Sequence, residues 1–146
     1  MTPAQEALCR DLASTPARIV EAARGFADPS VPRVAGEWSA RDVTLHLAAV
    51  EVGVWHVRLE ALATESFPEW PWVEPDRWPL PQGSGFAAAV DVFTTHRAAT
   101  VDRLDELDDA GWKRRGRHAT FGVLDVEALL RIALDHDEEH LRQIHG

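Results

Sequence analysis

The sequence predicts an all-α protein, a four-helix bundle with a long crossover between the second and third helices. Three observations predict it. Apolar residues recur at helical spacing in four separate stretches, capping residues stand at the starts of several of them, and a proline-rich segment of about twenty residues divides the middle pair.

The first helix opens at Thr2-Pro3-Ala4-Gln5, where Thr2 caps, Pro3 suits the first helical position and Gln5 bonds back to the cap. Leu8, Leu12, Ile19, Val20 and Ala23 form its apolar face; Pro16 predicts a kink and Gly25 a stop. The second follows Trp38: Ser39 caps, Asp42 completes the capping pair, and Val43, Leu47, Val50, Val54 and Val57 mark a stripe running to about Thr64. The third extends from Gly85 to Leu104 or Leu107, through Phe86, Ala89, Val90, Phe93 and Arg97. The fourth starts at Asp125, with Glu127 in the dipole-favoured first turn, and passes Leu129, Ile132, Ala133, His136 and His140 to Ile144.

Between the second and third helices, Glu65 to Ser84 holds five prolines and the tryptophans Trp70, Trp72 and Trp78. Adjacent antiparallel helices need only about 2–8 connecting residues. A segment this long instead runs the length of the bundle and lets the second and third helices lie parallel. Its tryptophans are expected to be buried against the bundle. The stretch from Trp112 to Gly122 gives no clear secondary structure.

A chain of 146 residues suits one domain, spanning 1–146, that buries roughly 70% of its unfolded surface. Cys9 is the only cysteine, so no internal disulfide forms, and a reducing, cytoplasmic location is expected. Cys9 itself reads as a packed helix residue. No leader and no apolar run of the ~18 residues needed to cross a bilayer is visible. The formal charge of −9, from 24 acidic and 15 basic residues, argues against general nucleic-acid binding. The basic run Lys113-Arg114-Arg115-Gly116-Arg117 lacks interleaved aromatics and reads as a solvated loop.

Histidines carry the chemistry. His136 and His140 are four apart on one helix, on the same stripe as Leu129 and Ile132, so both rings point inward. His46 lies about seven residues into the second helix, at the edge of its core stripe. If the second and fourth helices run antiparallel, all three rings meet at one end of the bundle. Two imidazoles at i and i+4 and a third from a facing helix suit a divalent metal with an open position. Buried histidines also occur as hydrogen-bonded core residues, and spacing alone leaves both readings open.

His136-Asp137-Glu138-Glu139-His140 lacks the glutamate of the H-E-x-x-H protease motif. It matches the reversed H-x-x-E-H pattern, but only six residues follow to supply the further ligand that class needs. A peptidase is therefore not expected. His118 precedes the fourth helix, roughly 20–30 Å from His140 by helical rise, and is set outside the site. His56 and His96 read as surface or core-edge residues, and His145 as frayed terminus.

Trp38-Ser39-x-x-Asp42-x-x-x-His46-Leu47, followed by His136-Asp137-x-x-His140-Leu141-x-Gln143-Ile144, resembles the DinB/YfiT-like superfamily of damage-inducible and thiol-transferase proteins. Phe93-x-x-x-Arg97 and Gly116-x-His118-x-x-Phe121-Gly122 share the resemblance, which covers nearly the whole chain. It implies an up-down-down-up bundle and a zinc or nickel site on His46, His136 and His140. Some such proteins are S-transferases that use bacillithiol or mycothiol, which here implies transfer to a small electrophilic molecule. Others are thiol-dependent isomerases, and homodimers are common among them. A stress-associated role goes with the reading of a bundle without turnover. Hydrolysis at the same ion is the related chemistry.

Gln143, one turn beyond His140, is placed to orient a ligand or substrate. Trp78, where the crossover returns toward the histidine end, is placed to line the mouth. Asp135 and Glu139 are near the ligands, but helical phase points both partly away, and no general base is assigned. Two other readings stand beside the enzyme: a metal- or ligand-binding bundle without turnover, and a structural bundle without metal.

Overall fold

The computed structural model describes residues 1–146. Helix α1 spans Pro3–Ala23, α2 Ala40–Val50, α3 Val57–Thr64, α4 Phe86–Asp105, α5 Asp109–Trp112 and α6 Val126–His145. Strands β1 (Glu69–Trp70), β2 (Arg115–His118) and β3 (Gly122–Asp125) form a small sheet. Local chemistry starts the helices where the sequence marks them. The Thr2 hydroxyl accepts from Gln5 N at 3.1 Å while the Thr2 amide donates to the Gln5 side chain, and Ser39 and Asp42 repeat this pairing. Asp125 caps α6 through Ala128 N at 2.8 Å.

The second predicted helix is one path interrupted in kind. Between α2 and α3, Glu51–His56 winds as a π-helix, a device that shifts the phase of the residues beyond it. Helix α1 continues through Pro16. Proline has no N–H for the carbonyl of residue 12, and Leu12 O instead accepts from Arg97 Nη1 at 2.9 Å.

Cross-links fix the directions. Arg41 binds the carbonyls of Pro81 and Ser84, Arg97 pairs with Glu51, and Arg103 pairs with Glu60. Positions rise together, so α2–α3 and α4 run parallel. Ile19, Ala22, Leu47, Phe93, Leu141 and Ile144 share one apolar cluster, whereas Leu8, Leu12, Val54, Leu104, Leu129 and Ala133 share the other. The ends of α1 and α6 therefore meet the starts of α2 and α4, which is up-down-down-up.

A polar layer lies within this interior. Arg97 is bidentate to Glu51 at 2.9 and 2.9 Å, and bonds Asp137 at 2.6 and 2.9 Å. Thr15 donates to Asp137 at 2.7 Å and Thr100 to Glu51 at 2.6 Å. Burial opposes the guanidinium charge, but the Asp137 hydrogen bonds and the two carboxylate charges outweigh it and hold Arg97 above its ordinary value.

The crossover and the stretch before α6 differ from expectation. Strand β1 pairs parallel with β2, setting Trp70 beside His118, and β2 pairs antiparallel with β3. The basic run read as a solvated loop is thus partly strand: Arg115 and Arg117 face out, Gly116 and His118 face in. Gly116 is required there, because a Cβ would lie 2.6 Å from the Trp70 ring and 2.9 Å from Pro68 O. Trp70 is buried as expected, but Trp72 is 57% exposed. No helix is long and apolar enough to cross a membrane.

Candidate metal centre

Helix α2 begins at its Ser39 cap immediately after Trp38, which fixes that indole over the first turns. Trp38 lies 5.0 Å from the His46 ring and stacks on His140 at 6.3 Å between centroids. His46 and His140 are buried, and His136 is half-buried. Because α2 and α6 are antiparallel, the three rings converge. His136 Nε2 is 3.4 Å from His46 Nε2 and 3.1 Å from His140 Nε2. Asp76, in the 3-10 turn Pro75–Arg77 of the crossover, places Oδ1 3.3 Å from His46 Nε2. One donor atom from each of these four residues lies within 4.8 Å of the others.

These spacings fit a divalent ion. Nitrogens about 2.0–2.1 Å from a shared ion stand roughly 3.0–3.4 Å apart for octahedral to tetrahedral angles. Hydrogen bonding alone fits poorly. A ring nitrogen carries one proton or one lone pair, so His136 Nε2 can serve only one of its two neighbours. Its Nδ1 is buried without a partner, an orphan that costs roughly 1–3 kcal/mol unless something offsets it.

His140 is oriented from behind. Its Nδ1 bonds Gln143 Oε1 at 2.7 Å, which requires the proton on Nδ1 and leaves the Nε2 lone pair facing the cluster. Burial, then the charges on His140 and His136, push His46 down to about 4. Burial, then His140, also lowers His136. Both are thus neutral near pH 7, the form that ligates.

Two clefts open from the cluster. A cavity of about 680 Å³ is lined by Val54, Trp55, Trp72, Phe121, Arg58, His118 and His136, among others. On the other side, a cleft of about 790 Å³ is bounded by Trp38, Arg33, His140 and Gln143. Asp76 and Glu139 border both.

The histidine trio is therefore where the sequence put it. Gln143 bonds His140 and also touches the second cleft. Trp78 stands away from the cavity wall, packed so closely on the π-helix that a Cβ at Gly53 would lie 2.9 Å from its ring. Trp72 and Asp76 occupy the place expected of it. Asp135 and Glu139 are exposed yet border the first cavity. His118, set outside the site by helical rise, lines that same cavity, because the hairpin folds back along the bundle. Asp76 and Arg58 were missed. Arg58 had a signal, one residue beyond Val57 near a stripe that otherwise reads as core; Asp76, in an irregular segment, had none.

A family model described as the DinB superfamily matches residues 11–144. The chain belongs to the DinB superfamily. A solved DinB-like structure, YfiT from Bacillus subtilis, superposes with a TM-score of 0.81 at 19% identity, covering 99% of this chain and 86% of that one. That protein is described as a probable metal-dependent hydrolase with an unusual four-helix bundle topology. The likeness establishes a shared fold. A search of curated proteins gives no match.

Proposed function

We propose that this DinB-superfamily chain is a metal-dependent enzyme acting on small molecules, with one divalent ion held by His46, His136 and His140. The observation that carries the reading is the convergence of three Nε2 atoms at 3.1 and 3.4 Å beside an open cavity. When bound, the ion would supply Lewis acidity that favours the deprotonated form of a nucleophile. The chain supplies the rest. Gln143 holds the His140 tautomer, and Trp38 shields His46 and His140. The exposed Asp76 carboxylate is close enough to the cluster to add a ligand or to take the nucleophile's proton. The cavity falls within the size range of small-molecule sites.

The nucleophile is a low-molecular-weight thiol, bacillithiol or mycothiol, and the two clefts meeting at Asp76 and Glu139 give thiol and electrophile separate approaches. Zinc and nickel are the ions the imidazole set suits. A second reading, hydrolysis with water as nucleophile, is favoured by the carboxylate of Asp76 at the cluster and by the description of YfiT. Zinc-loaded and nickel-loaded protein incubated with each thiol and a panel of electrophiles, and separately with esters and amides, tests both. Metal-dependent thiol consumption supports transfer, and thiol-independent product formation supports hydrolysis. Neither, across both panels, leaves a bundle without turnover.

A further inference from the structure

Arg58 is 94% buried by its 6% exposure, on the wall of the 680 Å³ cavity, yet no hydrogen bond or ion pair engages it. Its guanidinium carbon lies 5.8 Å from the Trp55 ring and 5.7 Å from the Trp70 ring, so aromatic faces fix its position. Faces do not satisfy N–H donors. Those donors have no acceptor in the chain and keep contact with the solvent of the cavity, in contrast to Arg97, whose donors all meet acceptors.

A second donor faces the same space. His118 Nδ1 accepts the backbone N–H of Thr120 at 2.9 Å and of Phe121 at 3.1 Å. The proton of the neutral ring must then sit on Nε2, which has no partner in the chain. His118 lies 3% exposed on the cavity wall beside Phe121 and Trp72. Four carboxylates line the same cavity: Glu74, paired with Arg77 at 2.7 Å, Asp76 beside the histidine cluster, and Asp135 and Glu139 on α6.

We propose that Arg58 and His118 form the receptor for a single carboxylate on the substrate, whose apolar body lies against Trp55, Trp72 and Phe121. One positive charge with a planar fork of donors matches a monoanion. A phosphate dianion would carry more charge than the pair neutralises. The reacting end of such a molecule then lies toward His136 and Asp76. This assignment rests on the reading that the cavity receives the substrate, and its test is independent of the ion.

The probes are 2-naphthylacetate and its neutral isostere 2-naphthylacetamide, titrated into metal-free wild-type protein. The acetate should bind at least tenfold more tightly. In Arg58→Gln the preference should fall to within about twofold, and in His118→Ala it should fall several-fold. Because Arg58→Gln can disturb folding, a second readout uses the wild type alone: the Arg58 Nε–H resonance should shift with the acetate and stay fixed with the amide. Absence of the preference in wild type, its persistence in Arg58→Gln, or an unmoved resonance overturns the proposal. A preference seen only in metal-loaded protein also overturns it, placing the anion on the ion and leaving the metal reading intact. A preference for 2-naphthyl phosphate over the acetate overturns the carboxylate assignment. Retained preference in a protein that binds no metal keeps this site and removes the metal reading.

Discussion

Two buried polar clusters sit one helical residue apart on α6, and they are built to different ends. Around Arg97, each charge meets its complement: two carboxylates receive the guanidinium bidentately, and threonine hydroxyls take lone pairs left over. Around His136, one ring nitrogen is orphaned and another faces two competing neighbours. The first cluster is closed within the chain and draws on α1, the π-helix and α4 as well as α6. The second is unsatisfied and open to two clefts. Adjacent residues, Asp137 and His136, thus face inward to structure and outward to ligand. Completeness of hydrogen bonding, more than burial, separates a site that holds the fold from a site that awaits a partner.

The largest expected effect breaks the closed cluster. Arg97→Met leaves Glu51 and Asp137 buried without their cation and should cost about 3–5 kcal/mol of stability, read by chemical denaturation. A loss under about 1 kcal/mol would show that the layer is not closed as described. By contrast, His136→Ala should leave metal-free stability within about 1 kcal/mol, since it removes an orphan, while metal affinity falls by at least the 10–100-fold known for lesser changes around such sites. Gln143→Ala should weaken metal binding about 10–100-fold through loss of the His140 orientation, measured by competition with a chelator. Titration sharpens the contrast further. His46 has its folded value depressed from 6.5 to about 4, so below pH 6.5 the unfolded chain takes up a proton that the folded one refuses. Metal-free protein should therefore lose stability as pH falls from about 6.5 to 4, by at most about 1.4 kcal/mol per pH unit from this group, and His46→Gln should flatten that slope. The smallest effect is at the rim: Asp76→Asn, at an exposed residue, should leave stability unchanged and shift metal affinity only a few-fold.

Helices were legible because periodicity and capping are local. Ser39, Asp125 and the valine stripe each announce their element within a few residues. The parallel second and third helices followed from the length of the crossover alone. The hairpin was not legible, because Arg115-Gly116-Arg117-His118 alternates in exposure without alternating in apolar character; its inward residues are glycine and histidine. The π-helix leaves no mark in composition either. In the site, helical spacing set His136 and His140 on one inward stripe and His46 at the edge of another but left ligand and core roles open, whereas Asp76 arrives from an irregular segment whose path depends on β1 pairing with β2. His118 was misplaced for the same reason: rise along a helix measures distance only while the chain stays helical. Arg97 and Asp137 stood in the sequence as charges on apolar faces, and their mutual pairing required the fold.

The histidine cluster is most directly tested by X-ray absorption on untagged protein loaded with one equivalent of zinc. The account predicts one ion per chain with three imidazoles at about 2.0–2.1 Å, and a nitrogen shell that is lost or reduced in His46→Ala and in His136→Ala. An unchanged spectrum in both variants, or wild-type protein that retains no zinc after desalting, would contradict it.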